Sequence, residues 1–474
     1  MSIARNAVLL AASTVAGQLT QLLTLPWVSR YAPPDAFGTY TVFVGFCAIA
    51  MVFAGLRYDA AIVVARSDRQ GRLAATLVAG LGIAAAALVG AAGLALRPWW
   101  PVVGGEATAA LAGCAVIALV ANTFVRVNNA WANRLGRLGW VGAVQFATVA
   151  GMVAMQLALL ARGVRPTLAL CGGYAGGQAL GLLAGLAGPG ADAFARGRPS
   201  RARLLGTARH FVAFPRYMIL YGLSTTLRER AIQALVGWGA GAAALGQFAM
   251  AQRLEGAPHA FLHGGLGPSL LSHARRAERG QVAEIGRRLI ELAALVLGPV
   301  FAFAMVDAQP LVDTFFEPRW RGTALYVQLL APAFLTLACT AFLDRLFELY
   351  GQQRTALRID VAYTAVVLAS LALAAGSGSG ALMAVVFSVV FVAYELTWTY
   401  FAFAANGLAT RGLARLALGC AAYLGALVAM DAALLAVPSL GLRAAAALAV
   451  LALAFAVHWH ALGGRALFRQ LAGR

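Results

Sequence analysis

Residues 227–255 read Leu-Arg-Glu-Arg-Ala-Ile-Gln-Ala-Leu-Val-Gly-Trp-Gly-Ala-Gly-Ala-Ala-Ala-Leu-Gly-Gln-Phe-Ala-Met-Ala-Gln-Arg-Leu-Glu. They lie within a longer stretch, 211–273, where charge sits inside apolar sequence. Arg228, Glu229 and Arg230 break one apolar run, and Arg253 and Glu255 break the next. The step between the runs, Trp238-Gly-Ala-Gly-Ala-Ala, is too short for a domain. Two membrane helices joined by a U-turn near 238–242 would set Arg228, Arg230 and Arg253 about ten residues below one surface. At about 1.5 Å per residue that depth is about 15 Å, close to the bilayer centre. An arginine there costs about 2.5–3.5 kcal/mol on the insertion scale, so it needs a wet cavity or a partner. One reading is an internal ion-pair cluster with Glu229 and Glu255. The other is an anion site, because these arginines outnumber the two glutamates.

The rest of the chain agrees with a membrane setting. Of 474 residues 61% are hydrophobic and 12% charged, against about 25% charged in an average soluble domain. Apolar runs of about twenty residues recur throughout, which defines an all-α, polytopic membrane protein. The longest connection, 189–209, is too short to fold as a soluble domain. A net charge of +19 would point to nucleic acid in a soluble protein. Here all 37 basic residues are arginine and they alternate from loop to loop, which is a topology signal, and no nucleic-acid partner is expected. Cys47, Cys114, Cys171, Cys339 and Cys420 are isolated within apolar runs and read as small core residues. Residues 1–6 lead into an apolar run without a cleavage motif, so a retained first helix is expected.

About fourteen transmembrane helices are predicted, near 7–28, 36–56, 73–96, 107–127, 138–160, 166–188, 211–237, 243–271, 285–306, 322–346, 357–375, 380–404, 413–436 and 442–462. With the N-terminus in the cytoplasm, the outer connections hold only Arg30, Arg97, Arg162, Arg165, Arg319, Arg321 and Arg443. Arg216, Arg228, Arg230 and Arg253 fall within helices, and the remaining arginines fall inside. The positive-inside rule then places both termini in the cytoplasm.

The stretch from Ala11 to Val64 contains Pro26, the turn Tyr31-Ala-Pro-Pro-Asp-Ala-Phe-Gly-Thr-Tyr and Leu56-Arg-Tyr-Asp. Further on come Gly246-Gln-Phe-Ala-Met-Ala-Gln-Arg-Leu, Trp320-Arg, Tyr326-Val-Gln-Leu-Leu-Ala-Pro and Leu349-Tyr-Gly-Gln-Gln-Arg. Over residues 5–405 the chain resembles bacterial polysaccharide-export flippases of the Wzx type. These belong to the MOP superfamily, with multidrug exporters of the MATE type and lipid II flippases. The resemblance implies two pseudo-symmetric six-helix lobes around a central cavity, plus a C-terminal helix pair. The expected division is an N-lobe 1–188, a cytoplasmic linker 189–210, a C-lobe 211–405 and a helix pair with tail 406–474. Val28/Val236, Ala32/Ala240, Phe37-Gly38/Leu245-Gly246 and Tyr40/Phe248 share one offset, as an internal duplication would produce.

Several polar stripes are candidates for the cavity. Thr14, Gly17, Gln18, Gln21 and Thr24 share one face of the first helix, and Gln18 and Gln21 suit a cavity wall or a helix contact. Arg57 and Asp59 read as an interfacial ion pair. Asn122, Arg126, Asn129 and Asn133 share a face that is either a solvated helix end or a cavity mouth. Gly173, Gly177, Gly181 and Gly185 repeat every fourth residue as a packing ridge. Arg216 and Arg230 return to one face of a continuous helix. Glu255, His259 and His263 fall four apart, but Pro258 disturbs the register and no metal or other cofactor is expected. Glu229, Glu395 and His259 are candidates for coupling or ion pairing, and Asp431 lies inside the thirteenth helix.

Three functions compete. A flippase for a polyprenyl-diphosphate-linked oligosaccharide would use Arg228, Arg230, Arg253 and Arg216 with Glu255, Gln18 and Gln21, because a guanidinium binds phosphate bidentately and stays charged. By resemblance it would work by alternating access in the bacterial inner membrane, amid membrane lipids and beside a polysaccharide polymerase and chain-length proteins. A cation-coupled multidrug exporter would need acidic residues, whereas the central helices lean basic. A membrane-bound polymerase or ligase would need acid–base groups on an outer loop, and the outer connections offer only short segments such as Asp313-Thr-Phe-Phe-Glu317. No enzymatic activity is expected.

Overall fold

A computed structural model describes residues 3–95, 105–194, 199–212, 214–274, 278–437 and 439–461. These residues are almost wholly helical, with no strand among them. They form two compact units, Met1–Ala234 and Leu235–Arg474.

The first unit holds α1 (Ile3–Tyr31), α2 (Pro34–Ala54), α3 (Asp59–Val64), α4 (Asp68–Ala95), α5 (Gly105–Arg134), α6 (Leu138–Ala161), α7 (Pro166–Leu186) and α8 (Arg201–His210). It also takes the start of α9 (Ile219–Ala274). Lipid tails are as apolar as leucine, so these helices gain little from the hydrophobic effect and associate by close packing. The glycine ridge of α7 supplies that packing against α6 and α5. A Cβ on Gly173 would strike Gln156, one on Gly177 would strike Met152 and Thr148, and one on Gly181 would strike Thr148. A second core gathers Tyr58, Ile62, Val78, Val127 and Trp131 between α3, α4 and α5.

The second unit contains the rest of α9 and α10 (Arg279–Val306), α11 (Ala308–Phe315), α12 (Thr323–Thr340), α13 (Asp344–Leu349), α14 (Gln353–Ala375), α15 (Gly380–Ala404), α16 (Leu413–Ala433) and α17 (Leu440–Ala461). α10 starts with a reciprocal cap between Glu278 and Gln281, which satisfies free backbone donors. It packs on α12, α16 and α17, and α15 lies between α12 and α14. Leu289, Phe301, Phe342, Phe347 and Phe403 fill the centre. Leu88, Leu373, Leu418 and Leu453 are largely exposed, as expected of side chains that face lipid.

The expected reversal occurs at Gly241, whose φ of 89° and ψ of 168° interrupt α9. Only glycine adopts such a backbone without strain. A Cβ on Gly237 would lie 3.0 Å from Leu245 Cδ2. In an unbroken helix residues eight apart are separated by about 12 Å, so the chain turns back on itself here.

Some boundaries differ from expectation. Pro215 sits in a wide π-helical turn, Phe214–Met218, and regular helix begins only at Ile219. α2 ends at Ala54, after which Leu56 and Arg57 adopt left-handed φ of 44° and 60° before α3. Ten helices among the described residues are long and apolar enough to cross a membrane, against the fourteen expected. α1 with its polar stripe and glycine-rich α7 fall short in apolar character, and the two arms of α9 enter the ten as the single stretch Thr226–Gly256. α17 enters only as Leu440–Leu453, most side chains past Gly256 on α9 and past Leu453 on α17 lying outside the described residues.

Candidate functional site

Arg230 lies eleven residues before Gly241, which puts it about 16 Å from the turn. Its side chain runs across Gly45 of α2, where an added Cβ would sit 3.0 Å from Arg230 Cδ. Arg230 Nη1 donates to Gln233 Oε1 at 2.8 Å. Its Nε is buried and has no acceptor among the described residues. Tyr174 of α7 is hydrogen-bonded to Gln178 one turn along. Gln178 Oε1 in turn accepts from Asn122 Nδ2 at 3.1 Å. Tyr174 meets Phe43 and Tyr40 edge to face, at 6.2 and 6.5 Å. Polar groups thus run from α5 to α7, and Tyr174 packs on Phe43 of α2, two residues from the Gly45 that Arg230 of α9 crosses.

The remaining expected residues fall as follows. Arg228 is half-buried and Glu229 exposed, both in the first unit. Arg216 is exposed in the π turn, so the unbroken helical register assumed between it and Arg230 does not hold. Gln18 and Gln21 are half-buried on α1, where Gly17 packs on Val149 of α6. Arg126 Nη2 donates to Asp59 Oδ1 at 2.7 Å and its Nη1 to the Met51 carbonyl at 2.8 Å. Asp59 thus pairs with Arg126 of α5, and Arg57 Nε is buried without an acceptor among the described residues.

In the second unit Arg253 is half-buried and Glu255 is 4% exposed. Neither Glu255 oxygen accepts a hydrogen bond among the described residues. Glu395 is buried and its Oε2 accepts from Thr340 Oγ1 at 2.6 Å. His259 and His263 lie on α9, and their side chains are outside the described residues. No group of three or more metal-ligating side chains occurs among the described residues.

Sequence reasoning missed Tyr174, Gln178, Asp360 and the Arg443–Asp307 pair. Asp360 Oδ1 accepts weakly from Tyr394 at 3.4 Å. Arg443 Nη1 lies 2.9 Å from Asp307 Oδ1, both buried, although neither carboxylate oxygen accepts a well-aligned hydrogen bond. Gln178 alone had a legible signal, as an amide one residue after a ridge glycine in an otherwise apolar helix.

A family model described as polysaccharide biosynthesis protein matches residues 27–325. The chain belongs to this polysaccharide biosynthesis protein family. Solved structures share the fold. The lipid II flippase MurJ in an inward closed conformation is 10% identical and aligns with a TM-score of 0.69 over 96% of this chain and 99% of its own. An inward-facing multidrug resistance transporter of the MATE family is 14% identical, with a TM-score of 0.62 over 84% and 94%. A MOP superfamily transporter from Pyrococcus furiosus is 13% identical, with a TM-score of 0.53 over 87% and 97%. No curated protein sequence matches. This polysaccharide biosynthesis protein therefore has the fold of MOP superfamily transporters and spans the membrane many times.

Proposed function

We propose that the protein is a flippase that moves a polyprenyl-diphosphate-linked oligosaccharide across the bacterial inner membrane for surface polysaccharide synthesis. The observation that carries this reading is Arg230, a cation at mid-membrane depth with a buried Nε that lacks an acceptor. No carboxylate pairs with it among the described residues. A diphosphate oxygen would complete that hydrogen bond, and Arg228 and Arg253 would add charge along the route. The family, named for polysaccharide biosynthesis, points to a glycan as the cargo. Transport would proceed by alternating access, with Gln18, Gln21, Arg216 and Glu255 as further polar contacts for the headgroup while the lipid tail stays in the bilayer. Glu229, Glu395 and His259 are candidates for ion coupling, with both termini in the cytoplasm. A polysaccharide polymerase and chain-length proteins would take up the product outside.

The test is surface polysaccharide in cells carrying Arg228→Ala, Arg230→Ala or Arg253→Ala at normal protein abundance. Loss of polymer in each variant is expected, and normal polymer in any one removes that residue from the route. A second reading, a cation-coupled exporter, draws on the unpartnered Glu255 carboxylate. It predicts normal polymer in the arginine variants and raised drug sensitivity in Glu255→Gln.

A further inference from the structure

The polar line inside the first unit has a chemistry of its own. Asn122, Gln178 and Tyr174 are uncharged, sit among apolar helices and together offer both donors and acceptors. An amide carries two N–H donors and one carbonyl oxygen, and a phenol both donates and accepts. The Asn122–Gln178 bond at 3.1 Å uses one donor and one acceptor of the two amides. The Tyr174–Gln178 bond takes up one group more on each partner, and the others remain available. Tyr174 and Gln178 are one turn apart on α7, a separation of about 6 Å along the axis. Arg230, whose buried Nε has no acceptor among the described residues, crosses α2 at Gly45, two residues from the Phe43 that packs on Tyr174. Arg126, one turn from Asn122 on α5, is already matched by Asp59 and the Met51 carbonyl. Charge is thus satisfied at one end and open at the other, with neutral hydrogen-bonding groups between.

We propose that Asn122, Gln178 and Tyr174 form a sugar subsite that holds the first ring of the glycan while Arg230 holds the phosphate bonded to it. Ring hydroxyls both donate and accept, so mixed amide and phenol groups match them where another arginine would not. Phe43 and Tyr40 pack edge to face on Tyr174 and hold its ring. The absence of a side chain at Gly45 gives Arg230 its path to this position. This inference deepens the flippase reading and depends on it.

The test uses full-length protein in lipid nanodiscs and two probes, farnesyl diphosphate and the same diphosphate bearing one N-acetylglucosamine. Binding is measured by titration calorimetry. The unaltered protein should bind the glycosylated probe more tightly. Gln178→Leu and the milder Tyr174→Phe should each weaken that probe about tenfold, the scale of one or two buried hydrogen bonds. The plain diphosphate should change less than about twofold by the same scale. Arg230→Ala should weaken both probes. Equal affinity of the unaltered protein for the two probes would overturn the sugar subsite and leave the flippase reading standing. Equal weakening of both probes in Tyr174→Phe and Gln178→Leu would show a packing role and overturn it as well. Absence of binding to either probe would overturn both proposals.

Discussion

The two units differ in where they bury carboxylates. Every buried carboxylate among the described residues, Glu255, Asp307, Asp360, Glu395 and Asp431, lies in the second unit. The first unit buries hydroxyls and amides such as Thr41, Thr123, Asn128, Gln156 and Gln178, and it holds the unpaired Nε of Arg230. A low-dielectric interior makes each uncompensated charge expensive; the buried Arg443 of the second unit lies against Asp307. The first unit thus holds no buried carboxylate among the described residues to repel an anion, whereas the second holds five.

Glu255→Gln tests the division most strongly. Loss of that carboxylate should slow polymer export about tenfold, a barrier change of about 1.4 kcal/mol, while farnesyl diphosphate binding stays unchanged. A matching loss of diphosphate binding would place Glu255 among the groups that act on the diphosphate itself. Arg126→Ala should act differently from Arg230→Ala. The Arg126–Asp59 pair has side chains 22% and 21% exposed, and removing one partner leaves the other half-buried and alone. The expected cost is about 1–3 kcal/mol of stability, read as a lower thermal midpoint that Asp59→Asn partly restores. A normal midpoint with lost export would move Arg126 into the transport route.

The smallest effect concerns Asp307, beyond the end of α10. Burial pushes its carboxyl up from the ordinary 3.8, and Arg443 pulls it back only in part. Asp431 is the other charged group acting here. A raised acid holds its proton more tightly folded than unfolded. Its contribution is therefore fully present below the ordinary carboxylate value and fades as pH rises through the shifted one. Asp307→Asn should flatten the thermal midpoint across that acidic window, and an unaltered slope would assign it to other groups.

Much of this architecture is legible in the amino-acid sequence. Glycine spacing announces both the α7 ridge and the reversal at Gly241, because lack of a Cβ is a property of the residue itself. The distance of Arg230 from that turn follows from counting back along the helix. Which groups meet across helices is not legible in the same way. Tyr174 looks like an ordinary member of an apolar helix until α2 is beside it, and Gln178 shows as an amide after a ridge glycine without showing its partner Asn122. Proximity in sequence suggests Arg57 as the partner of Asp59, yet Asp59 pairs with Arg126, because Leu56 and Arg57 turn the chain left-handed. The π turn at Phe214–Met218 is hidden too, since Pro215 permits several kinds of helix start.

That left-handed corner stores energy. Two successive non-glycine residues with positive φ cost roughly 1–2 kcal/mol each relative to right-handed helix. Arg126 grips both sides, at Met51 and at Asp59. One guanidinium thus braces both flanks of the corner and offsets part of what its backbone costs.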